Sequence, residues 1–156
     1  MKAPVINQEF FEYIKPFLLK LKEIAGEDFV IFGSAPLYLL NVVKFDGHIN
    51  DLDISVKEIS QSIVDRGKEI LFYNDPNQKF YQFEIDGMKI DVASMWPAYE
   101  PYFSEIFDNP ICVDGFKFTN LDVVEGFKKD MAEKYDRQKD KDYLQKIADF
   151  RLNNSL

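Results

Sequence analysis

One cysteine and one histidine are the only thiol and imidazole metal ligands in this chain of 156 residues. A lone Cys112 excludes an intramolecular disulfide and a cysteine-rich zinc site. Basic residues are also short, with 19 Lys and Arg against 27 Asp and Glu and a net charge of −8. Tight nonspecific nucleic-acid binding needs clustered Lys and Arg on phosphates, and this balance argues against it. A nucleotide stays open, because metal can bridge its phosphates. No apolar run reaches membrane-spanning length, and Met1-Lys2-Ala3-Pro4 does not lead into the apolar core of a signal peptide. The expectation is a cytoplasmic protein with no membrane partner. Repeats, linkers and low-complexity segments are absent as well, so one domain over residues 1–156 is expected.

What the chain has in quantity is apolar and aromatic side chains, with 15 Phe and eight Tyr. They read as core and strand packing rather than as a base-stacking surface. Residues 7–25 carry Phe10, Ile14, Phe17, Leu18, Leu21 and Ala25 at helical spacing, with Pro16 expected to kink or interrupt the helix. Phe29 to Phe32 is a continuous apolar run, the pattern of a buried strand. Ser34 can cap a helix continuing through residues 37–43, with Pro36 in its first turn. A strand is expected over 51–56, a helix over 59–68 and a strand over 70–73. Residues 80–85 and 88–93 should pair as a hairpin about Asp86-Gly87, and 111–119 as a second about Asp114-Gly115. Two charged amphipathic helices, 121–134 and 136–150, close the chain, the first capped by Thr119 or Asn120. Together these predict an α+β domain with a mixed β-sheet, flanking helices and C-terminal helices.

Three acids stand out within that pattern. Side chains alternate along a strand, so Asp51 and Asp53 share one face while Leu52 and Ile54 take the other. Asp91 sits between Ile90 and Val92 with the same alternation. If the two strands pack side by side, three carboxylates crowd one patch and repel. Such a patch calls for divalent cations, and oxygen-only ligands suit Mg²⁺ or Mn²⁺.

An apolar strand ending in Gly33-Ser34, then Asp51-x-Asp53, then a lone Asp91 on a later strand, resembles the nucleotidyltransferase fold superfamily, the polymerase-β-like group. The resemblance covers roughly residues 28–94 by motif and extends toward the C-terminus. There, Lys128 followed by Arg137-Gln138-Lys139-Asp140 resembles the end of small standalone members, in a helical part of about 120–151. Sixteen residues separate Ser34 from Asp51, a few more than the family pattern, and the extra length falls in the loop at 44–50. His48 stands where the family often has a basic residue.

The resemblance implies transfer of an NMP group from an NTP, ATP for instance, to a hydroxyl of a small molecule, protein or RNA. It implies that Asp51 and Asp53 hold the metals. Asp91 would bind the acceptor-side metal and take the acceptor proton. Gly33 would let phosphates approach the backbone, and Ser34 would donate its hydroxyl to them. Lys128, Arg137 and Lys139 either reach the triphosphate or form a charged helix face paired with Glu125, Glu133 and Asp136. His48 is a loop histidine or a phosphate contact, Asn50 a turn residue or an orienting group, and Trp96 and Tyr99 are core residues or neighbours of a base. Two other readings stay open. One is a catalytically silent domain of the same fold, a binding or antitoxin module with a protein partner. The other is an unrelated α+β interaction protein whose acids cluster by chance.

Overall fold

Seven strands form one mixed sheet with helices on both faces in the computed structural model, which describes residues 4–94 and 103–154. The first helix, α1 (Gln8–Ala25), starts where the Asn7 side chain accepts a hydrogen bond from the Phe10 N–H at 3.0 Å. Phe10, Phe11, Ile14, Leu18 and Leu21 recur at three- and four-residue steps, and all are fully buried. Pro16 does not interrupt α1. It lies on the exposed side, as does Glu12 four residues before it, so the carbonyl it leaves unbonded faces water.

The remaining elements follow in order: β1 (Phe29–Phe32), α2 (Ala35–Leu39), β2 (Asp51–Val56), α3 (Gln61–Arg66), β3 (Lys68–Leu71), β4 (Lys79–Ile85), β5 (Met88–Ala93), α4 (Phe103–Phe107), β6 (Ile111–Val113), β7 (Phe116–Phe118), α5 (Leu121–Tyr135) and α6 (Gln138–Asn154). The strand order is β3-β4-β5-β2-β1-β7-β6. The pairs β2–β5 and β1–β7 are parallel, and the other pairs are antiparallel. Both expected hairpins form. Asp86-Gly87 and Asp114-Gly115 have positive φ at both positions, as a type I′ turn requires. Asn120 rather than Thr119 caps α5, accepting from the Val123 N–H at 3.0 Å.

Alternation along the strands splits the core in two. Phe29, Ile31, Leu52, Ile54, Ile90 and Val92 face α1, and burying each such side chain contributes roughly 1.5–3 kcal/mol. Val30, Phe32 and Ala93 face the other way, onto Val123, Phe127 and Met131 of α5. A third cluster, Leu37, Val43, Val124 and Ile147, ties the segment after β1 to α5 and α6.

Three elements depart from the pattern expected of the sequence. The helix after Ser34 stops at Leu39 because Asn41 turns left-handed, and the Val42 and Val43 N–H groups fold back onto the Leu37 carbonyl. The helix expected over 59–68 is shorter, bounded by the Ser60 cap and Gly67. The following strand begins at Lys68 because its partners on β4 start at Gln82. Among the described residues no helix is long and apolar enough to cross a membrane.

Candidate functional site

Parallel pairing of β2 with β5 sets Asp53 directly opposite Asp91, and antiparallel pairing of β2 with β1 sets Asp53 opposite Phe32. Cross-strand partners share a face. Asp51, Asp53 and Asp91 therefore all lie on the α5 side of the sheet, away from α1. They are carried there because Leu52, Ile54, Ile90 and Val92 are claimed by the opposite core.

A cleft of about 370 Å³ opens over this face, between the strand ends and helices α5 and α6. All eight site residues expected from the sequence line it: Gly33, Ser34, Asp51, Asp53, Asp91, Lys128, Arg137 and Lys139. Asp51 is exposed, Asp53 partly buried and Asp91 buried. Burial, then the charges of Asp51 and Asp91, push the Asp53 carboxyl up from 3.8 to about 7, against the pull of Lys128 and Lys139. Burial also raises Asp91, opposed first by a hydrogen bond that Gln82 Nε2 donates to its Oδ1 at 2.8 Å. Lys89 is the cross-strand partner of Asp51 and also favours the charged form of Asp91.

The three carboxylates do not form a ready ligand group. Among the described residues no three Asp, Glu, His or Cys side chains are close enough together to hold a metal ion.

Opposite the acids, the β1–α2 turn is made by Gly33, with φ of 71°. A Cβ there would lie 2.2 Å from Asp53 Oδ2, so the turn and the carboxylate occupy touching space. Ser34 does not cap α2 with its side chain, contrary to the sequence expectation. Its αR backbone aims the hydroxyl elsewhere, and Oγ instead accepts from Lys128 Nζ at 3.2 Å. With only five residues, α2 also adds little dipole to this end of the cleft.

Lys128 and Arg137 are not part of the solvated helix face that their spacing allowed. Lys128 is 5% exposed, and its Nζ lies 3.5 Å from Asp140 Oδ1. Arg137 Nε lies 3.0 Å from Asp140 Oδ2. Glu125 pairs with Arg151, and Asp136 with Lys141. Burial pulls the Lys128 pKa down, and Asp140 is the largest opposing influence. Lys139 is exposed on the cleft wall.

His48 is spoken for within the loop. Its Nε2 lies 2.9 Å from Asn50 Oδ1, and its Nδ1 lies 3.3 Å from the Tyr13 hydroxyl. The loop around residue 48 is thereby tied to α1. Trp96 and Tyr99 lie outside the described residues.

The sequence pattern gave no role to Gln82, Tyr38 and Tyr143, and it placed Asp140 only as the last residue of Arg137-Gln138-Lys139-Asp140. Gln82 is found only through the β4–β5 register. The burial of Asp140 follows only from the packing of α6 on α5. The Tyr38 hydroxyl is pushed up to about 12 by burial, then by Tyr143 beside it. No family model, curated protein or solved structure matches the chain.

Proposed function

We propose that this chain is a divalent-cation-dependent nucleotidyltransferase, moving an NMP group from an NTP to a hydroxyl of a small molecule, protein or RNA. One observation carries the reading. Asp53 and Asp91 are register partners on one face of the sheet, across a cleft from Ser34 held by a buried lysine. Acids on one wall and a hydroxyl with cations on the other suit a metal-bridged polyphosphate.

The donor set fits Mg²⁺ or Mn²⁺ by chemistry, being all oxygen and short of compensating charge. When bound, such cations neutralise phosphate charge and favour ionisation of the acceptor oxygen. Asp51 and Asp53 are assigned to hold them. Asp91, raised by burial yet held in place by Gln82, is suited to accept the acceptor's proton. Ser34 and Lys128 orient phosphate oxygens, and Arg137 and Lys139 counter charge at the mouth.

A catalytically silent domain of the same fold is the second reading, favoured by the lack of a ready ligand group among the described residues. Incubation with each labelled NTP, Mg²⁺ or Mn²⁺ and cell extract separates the two. A labelled product that vanishes in Asp53→Asn is expected. No product from folded wild-type protein with any NTP or either cation sinks the enzyme reading.

A further inference from the structure

A carboxylate that is 1% exposed stands on the wall of the cleft without being one of the three acids of the sheet. We propose that Asp140 is a positioning residue, fixing Lys128 on Ser34 and turning Arg137 to the cleft so that both cations meet one polyphosphate. The inference rests on the polyphosphate reading above.

Taking a carboxylate out of water is costly unless cations or donors surround it. Asp140 draws its two cations from different places. Lys128 comes from the middle of α5, and Arg137 from the residue just before α6. Val124 meets Ile147 in the buried part of the seam between the two helices, and Arg151 pairs with Asp122 and Glu125 in its more exposed part. An apolar pair could close that seam equally well, since a buried ion pair adds little stability of its own. The buried ion pairs of Asp140 lie instead where the seam meets the cleft.

The pairing is also incomplete. Asp140 Oδ2 has Arg137 Nε at 3.0 Å but no aligned hydrogen bond. The guanidinium is therefore held by charge without being locked by direction, and it lines the cleft as well. Lys128 is constrained more tightly, between Ser34 Oγ at 3.2 Å, Asp140 and the face of the Tyr143 ring at 4.5 Å. The charges acting on its ammonium are Asp140 and Asp53, which favour it, and Lys139 and Arg137, which oppose it. Removing the Asp140 charge therefore deprives Lys128 of its main support.

The test uses calorimetric binding of Mg–ATP to the full chain between pH 6.5 and 9. Asp140→Asn is expected to bind about tenfold more weakly at neutral pH, the scale of one lost charge-assisted contact. Its affinity should also fall away at lower pH than in the wild type, because an unsupported Lys128 loses its proton sooner. A merely structural role would not move that basic limb. If Asp140→Asn does not fold, Asp140→Glu serves. It keeps the charge but displaces it, so weaker binding with an unmoved basic limb is expected, and wild-type affinity overturns the inference. Asp140→Asn with wild-type affinity and pH dependence overturns the inference and leaves the polyphosphate reading standing. Wild-type protein that binds no Mg–ATP removes both.

Discussion

The Asp53 carboxylate occupies the space that a side chain on Gly33 would need, with Oδ2 2.2 Å from the position of such a Cβ. Residue 33 is glycine for two reasons. Its φ of 71° belongs to the left-handed region, and the neighbouring strand already fills its side-chain volume.

Gly33→Val should therefore disturb the acid wall as well as the approach of phosphate to the turn. Backbone strain alone costs on the order of 1–3 kcal/mol. Displacement of Asp53 adds to it, since the nearest atoms include its Cβ and Cγ at 3.0 Å. The expected outcome is a lower Tm together with loss of transfer activity and of Mg–ATP binding. A folded Gly33→Val protein with wild-type Tm and binding would show that the turn and Asp53 are not coupled.

Asp53 gives a pH dependence whose sign follows from its raised carboxyl. The folded value of about 7 lies above the ordinary 3.8. Its stabilising contribution is complete below the unfolded value and is lost as pH rises toward and through 7. In chelator, wild-type Tm should fall between pH 5.5 and 8 by more than that of Asp53→Asn, which cannot ionise. At pH 8 the variant should be the more stable protein. Parallel Tm profiles for the two proteins would mean that Asp53 is not held in a crowded, dehydrated site.

Much of this geometry is legible in local sequence. Phe29–Phe32, Asp51–Val56 and Met88–Ala93 are apolar or strictly alternating runs, and the strands keep those limits. Asp-Gly pairs mark both hairpins because few other dipeptides tolerate two positive φ values. The end of α2 was not legible, because it depends on Asn41 turning left-handed, which Asn tolerates without requiring. The spacing of Lys128 allows either a triphosphate contact or a charged helix face, and the burial of Lys128 and Asp140 follows only from the packing of α5 on α6. Gln82 carries no signal within its strand, and only register puts it beside Asp91.

Gln82 supplies the next test. Its hydrogen bond to Asp91 Oδ1 favours the ionised carboxylate. Gln82→Leu removes the donor, so the Asp91 carboxyl should rise further. If Asp91 takes the acceptor's proton, it must be ionised to act, and the acid limb of the pH–rate profile should move to higher pH. Activity well above that limb should change little. The lost bond should cost about 1 kcal/mol in stability. Superimposable pH–rate profiles would take Asp91 out of the proton-transfer role.

The final prediction separates a working metal site from a silent one. Among the described residues no three ligating side chains stand together, so Mg²⁺ alone finds few ligands at once. A triphosphate brings further oxygens, which Mg²⁺ accepts readily alongside one or two carboxylates. Mg²⁺ alone should raise wild-type Tm slightly, and Mg²⁺ with ATP should raise it much more, as binding to the folded state alone requires. Asp53→Asn should abolish the extra rise while its Tm in chelator at pH 8 stays at or above that of the wild type. It is the cleanest of the three substitutions, because Asp51 has Lys89 as its cross-strand partner and Asp91 has Gln82. Asp51→Asn gives up an attraction along with a repulsion, so its Tm in chelator should change little while the ATP-dependent rise is lost. If Asp53→Asn is instead clearly destabilised in chelator, the aspartate holds structure and the silent-domain reading becomes the better one. A wild-type Tm indifferent to Mg²⁺ and ATP together would leave the acids without a metal role.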